Sequence, residues 1–230
     1  MAENNNNGAS EIKETLNQSE AFILKYKKAI ICGVSVAVVA VLACLLWNNY
    51  SDKQQVKAST EMAKAQEYYG MAVQGDMPDL FKMALEGDSL GHAGFKTIAD
   101  EYSSTKAGNL ANLYAGICCA RLGQLDEAAE YFDEFDSEDD QMISPSAKAA
   151  VGNIEASQNN LDDAVKTLVK AADMADNNTL SPGFLIQAGE ILESQGKKAE
   201  ALELYQRIKD NYYQWVKYST IDAYIERVKE

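Results

Sequence analysis

Three stretches of this sequence align with one another, and this internal repeat restricts the fold more than any other feature. The stretches are YAGICCARLGQLDEAAEYFDEF (114–135), AVGNIEASQNNLDDAVKTLVKA (150–171) and QAGEILESQGKKAEALELYQRI (187–208), offset by 36 and 37 residues. Phe95 and Ile98 lie 37 residues before Phe132 and Phe135 and indicate a degenerate copy ahead of the other three. A period of this length predicts stacked helical hairpins.

Three columns of the alignment predict how each hairpin closes. We expect a glycine in the first helix (helix A) to let the second helix (helix B) cross closely, and an alanine in helix B to pack into that space. A bulky residue four positions after the alanine is expected to fill the interface with the next repeat. The columns are Gly116, Gly152 and Gly189, then Ala128, Ala164 and Ala201, then Phe132, Leu168 and Tyr205.

The turns between helix A and helix B have their own signature. RLGQLDEA and SQGKKAEA place a glycine where a helix ends in the left-handed conformation. In the middle copy Asn159 takes this position, and asparagine tolerates that conformation next best. Acidic or polar residues then open helix B, where the helix dipole favours them.

Composition agrees with a helical chain, since there are only three prolines and alanine, leucine, glutamate and lysine are plentiful. The apolar patterning predicts a last, capping helix within residues 214–230. Its expected buried stripe consists of Trp215, Ile221, Tyr224, Ile225 and Val228. The other predicted helices cover about 51–74, 78–86, 89–102, 106–122, 124–136, 145–158, 161–175, 182–195 and 197–210.

A second constraint is the run AIICGVSVAVVAVLACLLW at residues 29–47, which has nineteen residues and no charge. At about 1.5 Å per residue, such a helix matches the hydrocarbon thickness of a bilayer. Tyr26, Trp47 and Tyr50 fit the two interfaces, and KYKK (25–28) precedes the run. The positive-inside rule then predicts a cytoplasmic N-terminus, with residues 51–230 on the other side of the membrane.

Two other interpretations of this run compete with a retained anchor. A cleaved signal has a shorter lead and a shorter apolar stretch than this chain. A lipoprotein site would be Val41-Leu42-Ala43-Cys44, but the apolar LLW follows the cysteine where a polar start is expected. The sequence therefore favours an uncleaved anchor over residues 29–50, preceded by a disordered cytoplasmic tip over residues 1–28.

Charge is distributed unevenly. The formal net charge is −14, and the whole excess of carboxylates follows the apolar run. So acidic a surface disfavours nucleic acid and anionic headgroups as partners. Either it is simply a solvated surface, or it meets a basic partner.

No constellation of catalytic or metal-binding residues emerges from the sequence. His92 is the one histidine, there is no C-x-x-C pair, and Cys118 and Cys119 are read as packing residues. The acidic run DEFDSEDD (133–140) lacks the spacing of an EF-hand loop. We therefore expect a binding protein rather than an enzyme, with no cofactor and no metal.

The repeat resembles the tetratricopeptide repeat family, whose pattern has a small residue at its eighth position, alanine at its twentieth and a large residue at its twenty-fourth. The chain departs from it in lacking the closing proline and in having a period longer than about 34 residues. The resemblance implies an α-solenoid: a linker helix and degenerate repeat (51–104), three repeats (105–211) and a cap (212–230). With the transmembrane helix predicted from the apolar run, the expected fold is all-α.

The same resemblance implies a concave groove lined by helix A, which would bind a protein segment. Carried over by position, the groove residues are Leu110, Leu113, Ile117, Arg121, Ala149, Asn153, Ser157, Ile186, Glu190 and Glu193. Glu190 and Glu193 oppose an acidic tail as ligand, so an extended or helical segment with apolar and basic residues fits better. Alternatively, Leu110 and Leu113 merely pack against the preceding repeat.

A short cytoplasmic tip, one span and an acidic repeat domain together resemble the YfgM-type ancillary subunits of the bacterial Sec translocon. That resemblance implies a bacterial inner-membrane protein with a periplasmic repeat domain. Its partners would be translocon subunits, periplasmic chaperones or exported clients, besides the bilayer around residues 29–47. The alternatives are a structural scaffold of another envelope complex, or an outer-membrane assembly lipoprotein processed at Cys44.

Overall fold

The structure, a computed structural model, describes residues 6–135 and 140–229, with side chains from Lys25 onward except Ile30. This part of the chain is helical, and its one pairing of extended backbone is an isolated bridge between Gly87 and Ala93. The helices are α1 (Asn6–Gly75), α2 (Pro78–Glu86), α3 (Phe95–Glu101), α4 (Lys106–Arg121), α5 (Leu125–Glu134), α6 (Ile143–Ser157), α7 (Leu161–Ala175), α8 (Ser181–Ser194), α9 (Lys198–Asn211), the 3-10 helix η1 (Tyr218–Thr220) and α10 (Ile221–Lys229).

The chain divides into two compact units, Met1–Lys53 and Gln54–Glu230. Within the first, α1 exposes the side chains of its apolar run, including Val39, Leu46 and Trp47. By length and composition alone, α1 is the helix among the described residues that could cross a membrane. A signal sequence near the N-terminus has the same properties, so the structure agrees with either interpretation of the run.

The structure differs from the predicted tip. Residues 6–28 are helical, whereas the sequence predicted a disordered segment over 1–28; residues 1–5 lie outside the described residues. The stretch EIKETLNQSEAFILKYKK is rich in good helix formers and directly precedes the apolar run. A helix extends into such residues without a second nucleation step.

The second unit consists of stacked helical hairpins, as predicted. The three clear repeats form the pairs α4 and α5, α6 and α7, and α8 and α9, and most helix ends agree with the sequence within two residues. Two starts were predicted too early. Residues 89–94 form a loop ahead of α3, because Asp88 accepts hydrogen bonds from the backbone of Leu90 and His92. The last helix begins at Ile221 rather than near residue 214.

The glycine column sets the approach of the two helices in each hairpin. A Cβ placed on Gly116 would lie 2.8 Å from the ring of Phe132, and one on Gly152 would lie 2.9 Å from Leu168. In the third hairpin a Cβ on Gly189 would meet the ring of Tyr205. The bulky residue thus lies against the glycine of its own hairpin, whereas the sequence assigned it to the interface with the next repeat.

The predicted turn conformation is confirmed in all three copies. Gly123, Asn159 and Gly196 have φ angles of +76°, +64° and +74°. After each of them, a backbone N–H donates across the turn to a carbonyl five residues earlier. These bonds run from Gln124 to Cys119, from Asn160 to Glu155 and from Lys197 to Leu192, each at 2.9 Å. This pattern satisfies the carbonyls that a helix leaves free at its end.

The degenerate leading copy uses the C-terminal part of α1 as its helix A and α3 as its helix B. Gln55 accepts a hydrogen bond from the backbone of Ala107 at the start of α4. Asp76 lies 4.0 Å from Arg121 at the end of α4, so the two helices run side by side in the same direction. The ring of Tyr69 on α1 lies 5.0 Å from the ring of Tyr114 on α4.

The C-terminal end continues the same plan. Ile221, Ile225 and Val228 of α10 are buried against the last hairpin, which confirms three members of the predicted stripe. Trp215 is also buried and Tyr224 packs at its margin. Because Ile225 lies 36 residues after Gly189, α10 stands where the helix A of a further repeat would stand.

We predict that Gly189→Ala destabilises the second unit by about 1–3 kcal/mol, because the new methyl group would overlap the buried ring of Tyr205. Gly183→Ala on the same helix is the matched control. No atom lies within 4 Å of its added Cβ, so a change within about 1 kcal/mol is expected. Urea unfolding of the full chain measures both. Equal stability of the two variants would contradict this role for the glycine column.

Candidate functional site

The helix A face of the first hairpin is only partly free. Leu110, Leu113 and Ile117 are half-buried and pack against a core that includes Met62 of α1. A cleft of about 220 Å³ separates α1 from α4 here, with Leu110 in its wall. This arrangement supports the alternative that Leu110 and Leu113 pack against the preceding repeat.

Arg121 ends this face of α4, and it is exposed. Its guanidinium lies 4.0 Å from the carboxylate of Asp76, a pair in which both side chains are more than half exposed. An exposed pair at this distance contributes little stability, so Arg121 can exchange Asp76 for another anion.

The next two hairpins expose polar groups on the same face. Asn153 and Glu190 are exposed, whereas Ile186 is half-buried against the last core cluster. Ala149 is buried, which excludes it as a ligand contact. The Ser157 hydroxyl donates to the carbonyl of Ile154 on its own helix. The predicted groove residues therefore fall along one row of helices, but they differ widely in how much surface they offer.

Glu193 has an internal role that the sequence did not predict. Its carboxylate accepts two hydrogen bonds from Arg227 of α10, at 2.6 Å and 2.9 Å, and a third from the hydroxyl of Tyr205. Burial opposes ionisation of Glu193, but these donors outweigh it and lower its pKa. The guanidinium of Arg227 also lies over the ring of Tyr224. Glu193 thus fastens the last helix to α8.

Polar pairs between successive repeats were also missed at the sequence level. Gln158 donates to Asp126 at 2.7 Å, and Gln195 donates to Asp162 at 2.9 Å. The two glutamines are 37 residues apart and the two aspartates are 36 residues apart. The sequence therefore shows the periodic spacing of these glutamines and aspartates. It does not show which columns of the alignment meet at the interface between repeats. Each pair joins the end of one helix A to the start of the preceding helix B.

The described residues offer no metal-ligating group of three histidine, cysteine or acidic side chains. Burial raises the pKa of the Cys118 thiol to about 12 and that of Cys119 to about 11, so both stay protonated and unreactive near neutral pH. His92 Nδ1 and the Tyr68 hydroxyl each lie 2.6 Å from the carboxylate of Asp88. Led by the bond from Tyr68, these contacts lower the pKa of Asp88 and tie its loop to α1.

We predict that Arg227→Ala destabilises the C-terminal end by about 1–2 kcal/mol, because it leaves the largely buried carboxylate of Glu193 without its main donor. Lys229→Ala is the matched control on the same helix. Lys229 pairs only with Glu226 three residues away, and this exposed pair is worth less than about 0.5 kcal/mol. Urea unfolding followed by circular dichroism compares them, and an equal effect of both substitutions would contradict the anchoring role.

The same cluster predicts a dependence on pH. The pKa of Glu193 is lower in the folded chain than its ordinary value of 4.5, so the contact contributes stability above pH 4.5 and loses it as the pH falls further. We expect the urea midpoint to fall more steeply below pH 4.5 for the natural chain than for Glu193→Gln, which has no charge to lose. Parallel curves for the two proteins would count against this explanation.

Comparison with known proteins yields one finding about the family. The model of the tetratricopeptide repeat-like domain matches residues 20–224. The match includes the apolar run, the leading copy, the three hairpins and the start of α10. Among curated proteins, the comparison finds no match to this chain.

Proposed function

The chain belongs to the tetratricopeptide repeat-like domain family, and from this premise we propose that it is a membrane-anchored scaffold that binds a protein partner through its helix A row. Domains of this family mediate contacts between proteins. The observation that carries the proposal is the row formed by α4, α6 and α8. It presents Arg121, Asn153 and Glu190 to solvent from three successive repeats.

The chemistry of this row favours a segment with both apolar and basic residues. Ile117 and Ile186 supply half-buried apolar contacts, and Glu190 supplies an exposed carboxylate between them. The net charge of −14, all of it after the apolar run, attracts a basic partner and repels an acidic one. An extended or helical segment crossing several repeats would meet these groups in turn.

Binding rather than catalysis is part of the proposal. The thiols of Cys118 and Cys119 are buried and protonated, and His92 is held by Asp88 in a loop. These side chains contribute to the packing of the fold. Binding a protein partner through exposed side chains requires neither a reactive thiol nor a catalytic histidine.

We further propose that residues 29–47 cross the bacterial inner membrane, with the N-terminus in the cytoplasm and the repeats in the periplasm. The support is the uncharged run, the exposure of its side chains in α1 and the basic KYKK before it. The competing lipoprotein would begin at a lipid-modified Cys44. Mass spectrometry of the membrane-extracted protein separates the two, since only the anchor retains the residues before Cys44.

On this basis we propose that the chain assists export or periplasmic folding, as its resemblance to the YfgM-type ancillary subunits of the Sec translocon implies. Its partners would then be translocon subunits, periplasmic chaperones or exported clients. A structural role in another envelope complex is the competing function. The identity of the partner distinguishes the export role from the structural role, because the same row of helices could serve both functions.

We predict that a photoreactive amino acid at Asn153 or Glu190 crosslinks to translocon subunits or periplasmic chaperones in intact cells. Glu203, which is exposed on α9 and lies outside the helix A row, is the matched control position. Mass spectrometry of the crosslinked products identifies the partners. Recovery of only unrelated envelope proteins, or of the same set from Glu203, would contradict the proposed export role or the proposed surface.

A further inference from the structure

The three helices of the helix A row differ in charge, and the charge changes in one direction along the row. The sequence of α4 contains two bases, Lys106 and Arg121, and no carboxylate. That of α6 contains one base and one carboxylate, and that of α8 contains two carboxylates, Glu190 and Glu193, and no base. The row therefore changes from basic at α4 through neutral at α6 to acidic at α8, within a chain that is acidic as a whole.

Contacts with neighbouring helices decide which of these charges a ligand can reach. On α6, the side-chain nitrogen of Lys148 lies 2.6 Å from the carboxylate of Asp133 on α5. On α8, the carboxylate of Glu193 is held by Arg227 of α10. The charged residues that the three helices leave exposed are Lys106, Arg121 and Glu190. The accessible charge is thus basic on α4 and acidic on α8.

One column of the repeat shows the same change at the level of single residues. It contains Ile117, Asn153, Glu190 and Glu226, which are 36, 37 and 36 residues apart. Ile117 is half-buried, and the other three are exposed. Successive helices therefore place an apolar group, an amide and then carboxylates at equivalent positions. Arg121 lies about one helical turn after Ile117, at the basic end of this series.

The last helix adds one more position to the column. Leu192 of α8 and Val228 of α10 are 36 residues apart, and both are buried. Because α10 follows α8 in this register, Glu226 takes the position that Glu190 has on α8. Glu226 pairs with Lys229 on its own helix at 2.8 Å, and both side chains are more than half exposed. Such an exposed pair contributes little stability, so Glu226 can exchange Lys229 for another base.

The acidic helix of the first hairpin does not cancel this gradient. Although α5 contains five carboxylates and no base, Lys96 and Lys148 pair with two of them. The helix packs against α4 at Gly116, which is about 140° around α4 from Arg121. A helix is about 10 Å across, roughly one Debye length at physiological ionic strength. A ligand group at Arg121 therefore contacts the guanidinium directly, whereas solvent ions screen the carboxylates of α5.

We propose that the helix A row binds its partner segment in one orientation, with a carboxylate-bearing end against Arg121 of α4 and a basic end against Glu190 of α8. This inference rests on the proposed function, since it concerns the same row, and it adds the direction and the charge pattern of the ligand. Complementary charges at two points of an interface fix the register of a bound segment. The reversed segment would place like charges together at both points. The net charge of −14 still favours a segment that is basic as a whole.

The spacing of the helices sets the length of this charge pattern. Packed helices lie up to about 10 Å apart, so α4 and α8, with α6 between them, are separated by roughly 20 Å. An extended segment covers that distance in about six residues. The probe is therefore a synthetic peptide with two glutamates, a spacer of six alternating leucine and threonine residues, and three lysines.

The test uses the full chain in nanodiscs with ¹³C-labelled isoleucine methyl groups. Ile117 on α4 and Ile186 on α8 are both half-buried on the row, so each is the matched control for the other. A nitroxide on the acidic end of the peptide is expected to broaden the signal of Ile117 more than that of Ile186, and a nitroxide on the basic end should do the reverse. Equal broadening of both signals by each peptide would overturn the orientation and leave the binding row standing. If neither peptide broadened either signal, the row itself would be overturned, and the orientation with it.

An exchange of charges tests the cause of the orientation. The double variant Arg121→Glu, Glu190→Lys keeps the net charge and changes only exposed side chains, and it should reverse the broadening pattern of both peptides. The matched control is Lys170→Glu, Glu203→Lys, which exchanges exposed charges on α7 and α9 and should leave the pattern unchanged. An unreversed pattern in the first variant, or a reversal in the control, would overturn the assignment of the orientation to Arg121 and Glu190.

Discussion

The contact on which the rest of the structure depends is that between a glycine in helix A and a large side chain in helix B. At Gly116, Gly152 and Gly189 there is no room for even one methyl group beside Phe132, Leu168 and Tyr205. Because each hairpin closes on the same contact, successive hairpins have nearly the same geometry and stack at one period. The left-handed turns at Gly123, Asn159 and Gly196 make that closure possible. The two glycines adopt this conformation without strain, and the asparagine adopts it with little strain.

That single period positions the proposed binding surface. It places α4, α6 and α8 in one row, so that residues far apart in sequence, such as Arg121 and Glu190, belong to the same face. It also brings the loops between hairpins together, where Asn177 and Asn178 bond to residues 36 positions away. Polar pairs such as Gln158 with Asp126 join neighbouring repeats at the opposite ends of the helices. The proposed binding surface is therefore a property of the stack, and no single hairpin contains it.

The sequence was sufficient for what is repeated and local. The columns of glycine, alanine and bulky residues predicted the hairpins, and the glycine and asparagine turns predicted the left-handed backbone. It failed where one copy departs from the others or where distant side chains meet. The loop before α3 depends on Asp88, and the fastening of α10 depends on Glu193 meeting Arg227, neither of which recurs in another repeat. The predicted groove residues lie on α4, α6 and α8, and the groove itself stays a prediction. The burial of Ala149 and the bonds of Glu193 to Arg227 and Tyr205 follow from packing that spacing alone does not reveal.

The central claim is that the helix A row binds a protein partner. Hydrogen–deuterium exchange of the full chain, purified from its native membrane with the partner retained and again after salt has removed it, tests this claim most directly. The account predicts slower exchange in the partner-bound sample along α4, α6 and α8, with α9 little changed. Protection confined to α1, or spread equally over helices A and B, would contradict it.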